Sequence, residues 1–135
     1  MITSGDFDGD GKQDLVLGDG YHQLVHVIIG NGDGTFQTQT EQLLTGRNQV
    51  LSIAVTDLNR DGKLDLIIVG DEFQFSVMLG NGDGTFQFAA VELSIETVEN
   101  VVVADFNADN APDLAFGYGV GVVGVLLNRP FASCF

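Results

Sequence analysis

The residues of this chain best suited to chemistry are aspartates in tight clusters. The stretch Asp6-Phe-Asp-Gly-Asp-Gly-Lys-Gln-Asp14 puts carboxylates at positions 1, 3, 5 and 9 of nine residues. Position 6 is Gly11, which permits a sharp turn at positive φ, and Lys12 at position 7 can offer its backbone carbonyl. Hard oxygen donors that converge from alternate residues around a tight turn suit a calcium ion. Four like charges so close together repel unless a cation joins them or several take up protons. The bland alternative is a solvated Asp/Gly turn with no metal.

Repetition weighs against that alternative. Asp57-Leu-Asn-Arg-Asp-Gly-Lys-Leu-Asp65 begins 51 residues after the first copy, and Asp105-Phe-Asn-Ala-Asp-Asn-Ala-Pro-Asp113 begins 48 after the second. A second motif, GNGDGTF, stands at 30–36 and 80–86. In both places it lies about 23 residues after the first Asp of its repeat. Two motifs in phase at a period near 50 indicate a propeller or solenoid array.

The three copies differ in charge. The first has four carboxylates, Asp6, Asp8, Asp10 and Asp14. The second has Asn59 between Asp57, Asp61 and Asp65, and the third has Asn107 between Asp105, Asp109 and Asp113. The third also replaces the turn glycine with Asn110 and precedes its last acid with Pro112. About three Ca²⁺ per chain are expected, the third held least tightly. None of the loops is an EF-hand or a dockerin-type loop, because position 12 is Leu17, Ile68 or Phe116 instead of an acid.

The elements that would position these loops read as strands. Apolar runs enter each loop at 2–6, 52–57 and 101–105, and others leave it at 14–18, 65–70 and 113–117. They are nearly continuously apolar, as strands covered on both faces are. A third strand follows in LVHVIIG, FSVMLG and GVVGVLL. GNGDGTF then marks a reversal into a fourth, clearest as FAAVELS at 88–94. Segment 37–49 reads as loop with a weak edge strand. Four antiparallel strands per repeat make one propeller blade. The expected fold class is all-β, with three blades in one domain over 1–135 and repeats at about 1–49, 50–98 and 99–135. The last blade is the least complete.

Composition agrees. Gly is abundant at 18, and a chain of 135 residues can bury a core. The formal charge of −14 disfavours nucleic acid and anionic membrane surfaces. Ten of the 19 acids lie in the three loops, and three Ca²⁺ would bring the charge from −14 to −8. No apolar run is long enough for a membrane span. MITSGDF has no basic or apolar region of a signal peptide, which processing could have removed. Cys134, the single cysteine, excludes an intrachain disulfide and reads as a terminal thiol.

Other candidates are weaker. His22 and His26 lack a third ligand nearby and read as surface or rim residues. GNGDGTF lacks the Lys-Ser/Thr and helix of a phosphate loop, so Asp33 and Asp83 read as turn residues. Phe36, Phe73, Phe75, Phe86 and Phe88 read as core or blade packing. Tyr21 and Tyr118, after the second strands, mark where a ligand site between blades could form. No catalytic constellation is visible.

Together these motifs resemble the FG-GAP/VCBS-type calcium-binding repeats of β-propellers, as in the integrin α-subunit head. The resemblance rests on three D-x-[DN]-x-D-[GN]-x-x-D loops, the DL-apolar-apolar-G strand after each, and the two GNGDGTF turns. It implies structural calcium held by the side chains at positions 1, 3, 5 and 9 and by the carbonyls of Lys12, Lys63 and Ala111. It also implies a non-enzymatic binding or adhesion module at the cell surface or outside the cell. Related propellers include lectins with sugar sites between blades, and the repeat also occurs in secreted lyases and hydrolases. Three blades are too few to close a ring. The chain is therefore expected to be part of a larger propeller or, preferably, to pair as a homodimer in a six-bladed ring. Its ligand would be a protein or a glycan.

Overall fold

The computed structural model describes residues 1–19, 22, 24–37, 40–43, 49–70, 75–89, 98–119 and 121–128. Among these there are eleven strands and no helix. The first sheet contains β1 (Ile2–Gly5), β2 (Asp14–Asp19), β3 (Leu24–Ile28) and β4 (Thr40–Leu43), in that order. The second contains β5 (Val50–Thr56), β6 (Asp65–Gly70), β7 (Phe75–Gly80) and β8 (Phe86–Ala89). The third contains β9 (Val98–Ala104), β10 (Asp113–Tyr118) and β11 (Val122–Leu126). Every pairing is an antiparallel meander, as expected of successive blades. β8 begins at Phe86, two residues before the expected FAAVELS strand, and residues 90–94 lie outside the described segments.

Register is equivalent in all three sheets. The position-nine aspartates start β2, β6 and β10, and each pairs with the last residue of the strand before: Gly5, Thr56 or Ala104. This equivalence allows residues to be matched from blade to blade. β-branched and other apolar residues dominate the inner strands, where both faces are covered. β6, DLIIVG, is buried at all six positions.

Alternating side chains feed two cores. One lies between the first and second blades and includes Phe7, Val16, Val25, Val27, Leu66 and Phe86. The other lies between the second and third and includes Leu58, Ile67, Val77, Leu114 and Phe116. Because side chains alternate along a strand, Leu66 serves the first core and Ile67 the second. The middle blade is therefore covered on both faces. Ring pairs reinforce each junction: Phe7 meets Phe86 edge-on at 5.7 Å, and Phe75 meets Phe116 at 4.9 Å.

The aromatic expectation needs correction. Phe75 and Phe86 are core residues, but Phe36 and Phe88 are exposed. Phe36 occupies in blade one the place of Phe86 in blade two, but among the described residues no ring packs on it as Phe7 packs on Phe86. Phe73 lies outside the described residues.

Candidate metal sites in the aspartate loops

Each loop joins the first strand of a blade to the second. Its backbone turns through the left-handed region twice. Position 6 has φ of 82° at Gly11, 84° at Gly62 and 63° at Asn110. Position 4 does the same, with φ of 78° at Gly9, 64° at Arg60 and 62° at Ala108. At Arg60 and Ala108 the sequence carries no signal of this second reversal, since Arg and Ala rarely adopt it.

The side chains of positions 1, 3 and 5 fold inward onto the loop's own amides. Asp6 accepts hydrogen bonds from the amides of Gly9 at 2.8 Å, Asp10 at 3.1 Å and Gly11 at 2.9 Å. Asp57 accepts from Asp61 and Gly62, and Asp105 from Asp109 and Asn110. Desolvation opposes ionisation of Asp105. The amides of Asn110, Asp109, Ala108 and Asn107 nonetheless hold its carboxyl below the ordinary value.

Position 9 plays a different part. Asp14, Asp65 and Asp113 are fully buried, at 0% exposure. Oδ2 of each accepts the amide of position 2: Phe7 at 2.8 Å, Leu58 at 2.8 Å and Phe106 at 2.9 Å. Oδ1 of each accepts an amide at the end of the third strand: Gly30 at 2.8 Å, Gly80 at 2.9 Å and Asn128 at 2.8 Å. This carboxylate thus fastens the loop to the third strand. Burial pushes the Asp65 carboxyl up, against the pull of the Gly80, Leu58 and Asn59 amides.

In the first loop, carboxylate oxygens of Asp6, Asp8 and Asp14 lie within 4.8 Å of one another. Oxygens this close can share one hard cation, whose ligand distances are about 2.3–2.6 Å. Desolvation raises the Asp8 carboxyl above its ordinary value, and the charges of Asp10, Asp14 and Asp6 add to the rise. A cation would relieve that strain. Asp10 is not part of this trio: its carboxylate accepts the Lys12 amide at 2.9 Å and Lys12 Nζ at 2.6 Å. The Lys12 ammonium holds Asp10 below the usual range. Both groups are largely solvated, so the pair adds little stability.

The second and third loops show no comparable carboxylate trio among the described residues. Their position-3 side chains turn an amide nitrogen to position 5: Asn59 to Asp61 at 3.3 Å and Asn107 to Asp109 at 2.9 Å.

The remaining candidates fall into place around these loops. Asp33 Oδ1 accepts the Thr35 hydroxyl at 2.6 Å and amide at 2.9 Å, and Asp83 repeats the contact with Thr85. Both are turn residues, as their motif indicated. His22 lies 2.8 Å from Asp19, and His26 lies 3.9 Å from the same carboxylate oxygen. His22 is exposed, but His26 is buried, which corrects its reading as a surface or rim residue. Its place in the middle of the inner strand β3 is the reason. Tyr118 packs against the second core, whereas Tyr21 and Cys134 lie outside the described residues. A cleft of about 490 Å³ separates the second and third loops and is lined by Asp57, Arg60, Asp105 and Asn110.

Two structural parts escaped the sequence reading. The amide of Gly84, in the second GNGDGTF turn, donates to the Phe7 carbonyl at 3.0 Å and ties blade two to the loop of blade one. In blade three, which lacks that turn, Asn128 Nδ2 donates instead to the Leu58 carbonyl at 2.8 Å. The available signal was position 2, apolar in all three polar loops as Phe7, Leu58 and Phe106.

Comparison with curated proteins gives no match to this chain. The model of the FG-GAP-like repeat family matches twice, over residues 6–68 and 57–116. Each match runs from the first aspartate of one loop past the last aspartate of the next, and together they span most of the chain. The chain belongs to the FG-GAP-like repeat family.

Proposed function

We propose that this chain is a calcium-stapled blade array that serves as a binding or adhesion module and performs no chemistry of its own. The observation that carries the metal reading is the approach of Asp6, Asp8 and Asp14 in the first loop. Asp6, Asp8, Asp10 and Asp14 with the Lys12 carbonyl would hold the first ion. Asp57, Asn59, Asp61, Asp65 and the Lys63 carbonyl would hold the second, and Asp105, Asn107, Asp109, Asp113 and the Ala111 carbonyl the third. Each ion would lock its loop, and the loop would lock the register of its blade. Binding energy then becomes folding energy.

The family supports the binding reading. No helix of the described chain is long and apolar enough to cross a membrane. An extracellular or cell-surface setting suits such a module, since free calcium is plentiful there. The sugar-binding alternative draws on the polar cleft between the second and third loops. A glycan array at saturating calcium tests it, and the absence of any low-micromolar ligand would eliminate it.

Calcium titration by calorimetry, with thermal melts in calcium and in EGTA, tests the main reading. Calcium at about 100 times its Kd stabilises by about 2.7 kcal/mol per site. A melting temperature identical in both buffers would overturn it.

A further inference from the structure

The two ends of the blade row are the two halves of a junction that the chain already builds twice. At the first junction Phe7 enters blade two, against Phe86 and beside Leu64 and Gly84. At the second, Leu58 enters the core of blade three. Phe106 is the third such knob, yet it is 47% exposed where Phe7 is 3% and Leu58 1%.

The strands around Phe106 repeat the pattern. By register, Val123 and Val125 of β11 match Phe75 and Val77 of β7. Phe75 and Val77 are 2% and 0% exposed, whereas Val123 and Val125 are 68% and 52%. Val102 matches Ala54, which packs into the second core, and is itself exposed. Among the described residues, the outer face of blade three has the pattern of a core face but is exposed.

The outer face of blade one is the matching receptor. Ile2 matches the buried Ile53, and Phe36 matches the buried Phe86, yet both are exposed. Beside Phe36 lies a cavity of about 380 Å³ lined by Gln13, Gly32, Gly34 and Thr35. Gln13, Gly34 and Phe36 hold the places of Leu64, Gly84 and Phe86, the residues that meet Phe7 at the first junction. It is the socket of the first junction, without its knob.

We propose that the partner of these faces is a second copy of this chain, joined head to tail. Phe106 of each copy enters the Phe36 socket of the other, and the Gly34 amide reaches the Phe106 carbonyl as Gly84 reaches Phe7. The contact is heterologous, and two such contacts close a two-copy ring. Continuity with the two internal junctions argues for this occupant over an unrelated protein. The proposal rests on the reading of the chain as a row of blades and stands independently of the metal.

The test is the mass of the full chain in solution by light scattering, in calcium and in EGTA. A mass of two chains in calcium is expected, and Phe106→Asp or Val123→Glu should each return it to one chain. Both side chains are exposed in the single chain, so a cooperative melt of the dissociated variants, at or below the wild-type temperature, shows that they still fold. The orientation is read in a Cys134→Ser background with a short bifunctional maleimide. Phe106→Cys mixed with Phe36→Cys should crosslink, and neither alone should. A single-chain mass at high micromolar concentration overturns the proposal. So does a mass that grows without limit, which marks a junction that never closes, or crosslinking of Phe106→Cys to itself. Failure of the calcium reading would show instead as a melting temperature indifferent to EGTA, whatever the mass.

Discussion

Asp65 Oδ1 accepts the amide of Gly80 at 2.9 Å, joining residues 15 apart in sequence. The other oxygen of the same buried carboxylate accepts the Leu58 amide at 2.8 Å. One side chain therefore holds the loop, the head of β6 and the end of β7 together. Space is so limited that a Cβ on Gly80 would lie 2.1 Å from the Leu64 carbonyl oxygen. Asp14 and Gly30 repeat the arrangement in blade one.

Asp65→Asn should therefore destabilise the fold by about 3 kcal/mol, because one buried amide would face an NH₂ group instead of an acceptor. Urea unfolding in EGTA measures it. Since metal is absent from that buffer, the loss reports the hydrogen bonds and not a missing ligand.

Asp8→Asn should act in the opposite sense. Asp8 sits among Asp10, Asp14 and Asp6, whose charges raise its carboxyl further after desolvation. Removing its charge should weaken calcium binding at the first loop at least tenfold by calorimetry. In EGTA the melting temperature should hold or rise, as repulsion is relieved.

Ala108→Gly should stabilise the chain by about 1 kcal/mol, because Ala108 holds a φ of 62° that glycine adopts without strain. Gly9→Ala, at the same loop position with φ of 78°, should cost a similar amount. Chemical denaturation of the two variants, measured side by side, checks the reciprocity.

Asn128→Ala should cost about 1 kcal/mol, the net worth of the hydrogen bond from Nδ2 to the Leu58 carbonyl. The Asn128 amide, which serves Asp113, is retained in this variant. Hydrogen exchange should then quicken in β10 and β11 before it quickens in β2 and β3.

The turn aspartates predict a pH effect. Hydrogen bonds from the Thr35 hydroxyl, then its amide, hold the Asp33 carboxyl below 3.8. Thr85 does the same for Asp83. A carboxyl whose folded value is depressed contributes stability that is present above 3.8 and is lost as pH falls through the lower folded value. Thr35→Val removes the hydroxyl donor, so Asp33 should titrate closer to 3.8, as read from its carboxyl carbon by NMR.

Much of the architecture was legible because the chain repeats its own chemistry. Acid spacing located the loops, and the apolar runs around them located nine of the eleven described strands by type and place, while the strand expected at 88–94 shares only Phe88 and Ala89 with β8. β4 was legible only as a weak edge within 37–49, since Thr40–Leu43 has little apolar pattern. The role of position 9 was half legible. Asp14, Asp65 and Asp113 were recognisable as the last acids of their loops, but no local pattern shows that a third strand returns to meet them.

What the sequence by itself determined is therefore periodic and local: an all-β row of blades with an oxygen-rich loop at the same point in each. Tertiary structure alone decided which chemically similar residues are buried. Phe7 and Phe106 share a motif position, as do Phe36 and Phe86, yet one of each pair is covered and the other exposed. Spacing encodes the face on which a side chain lies. Burial also requires a neighbouring blade, and that depends on a residue's place in the row.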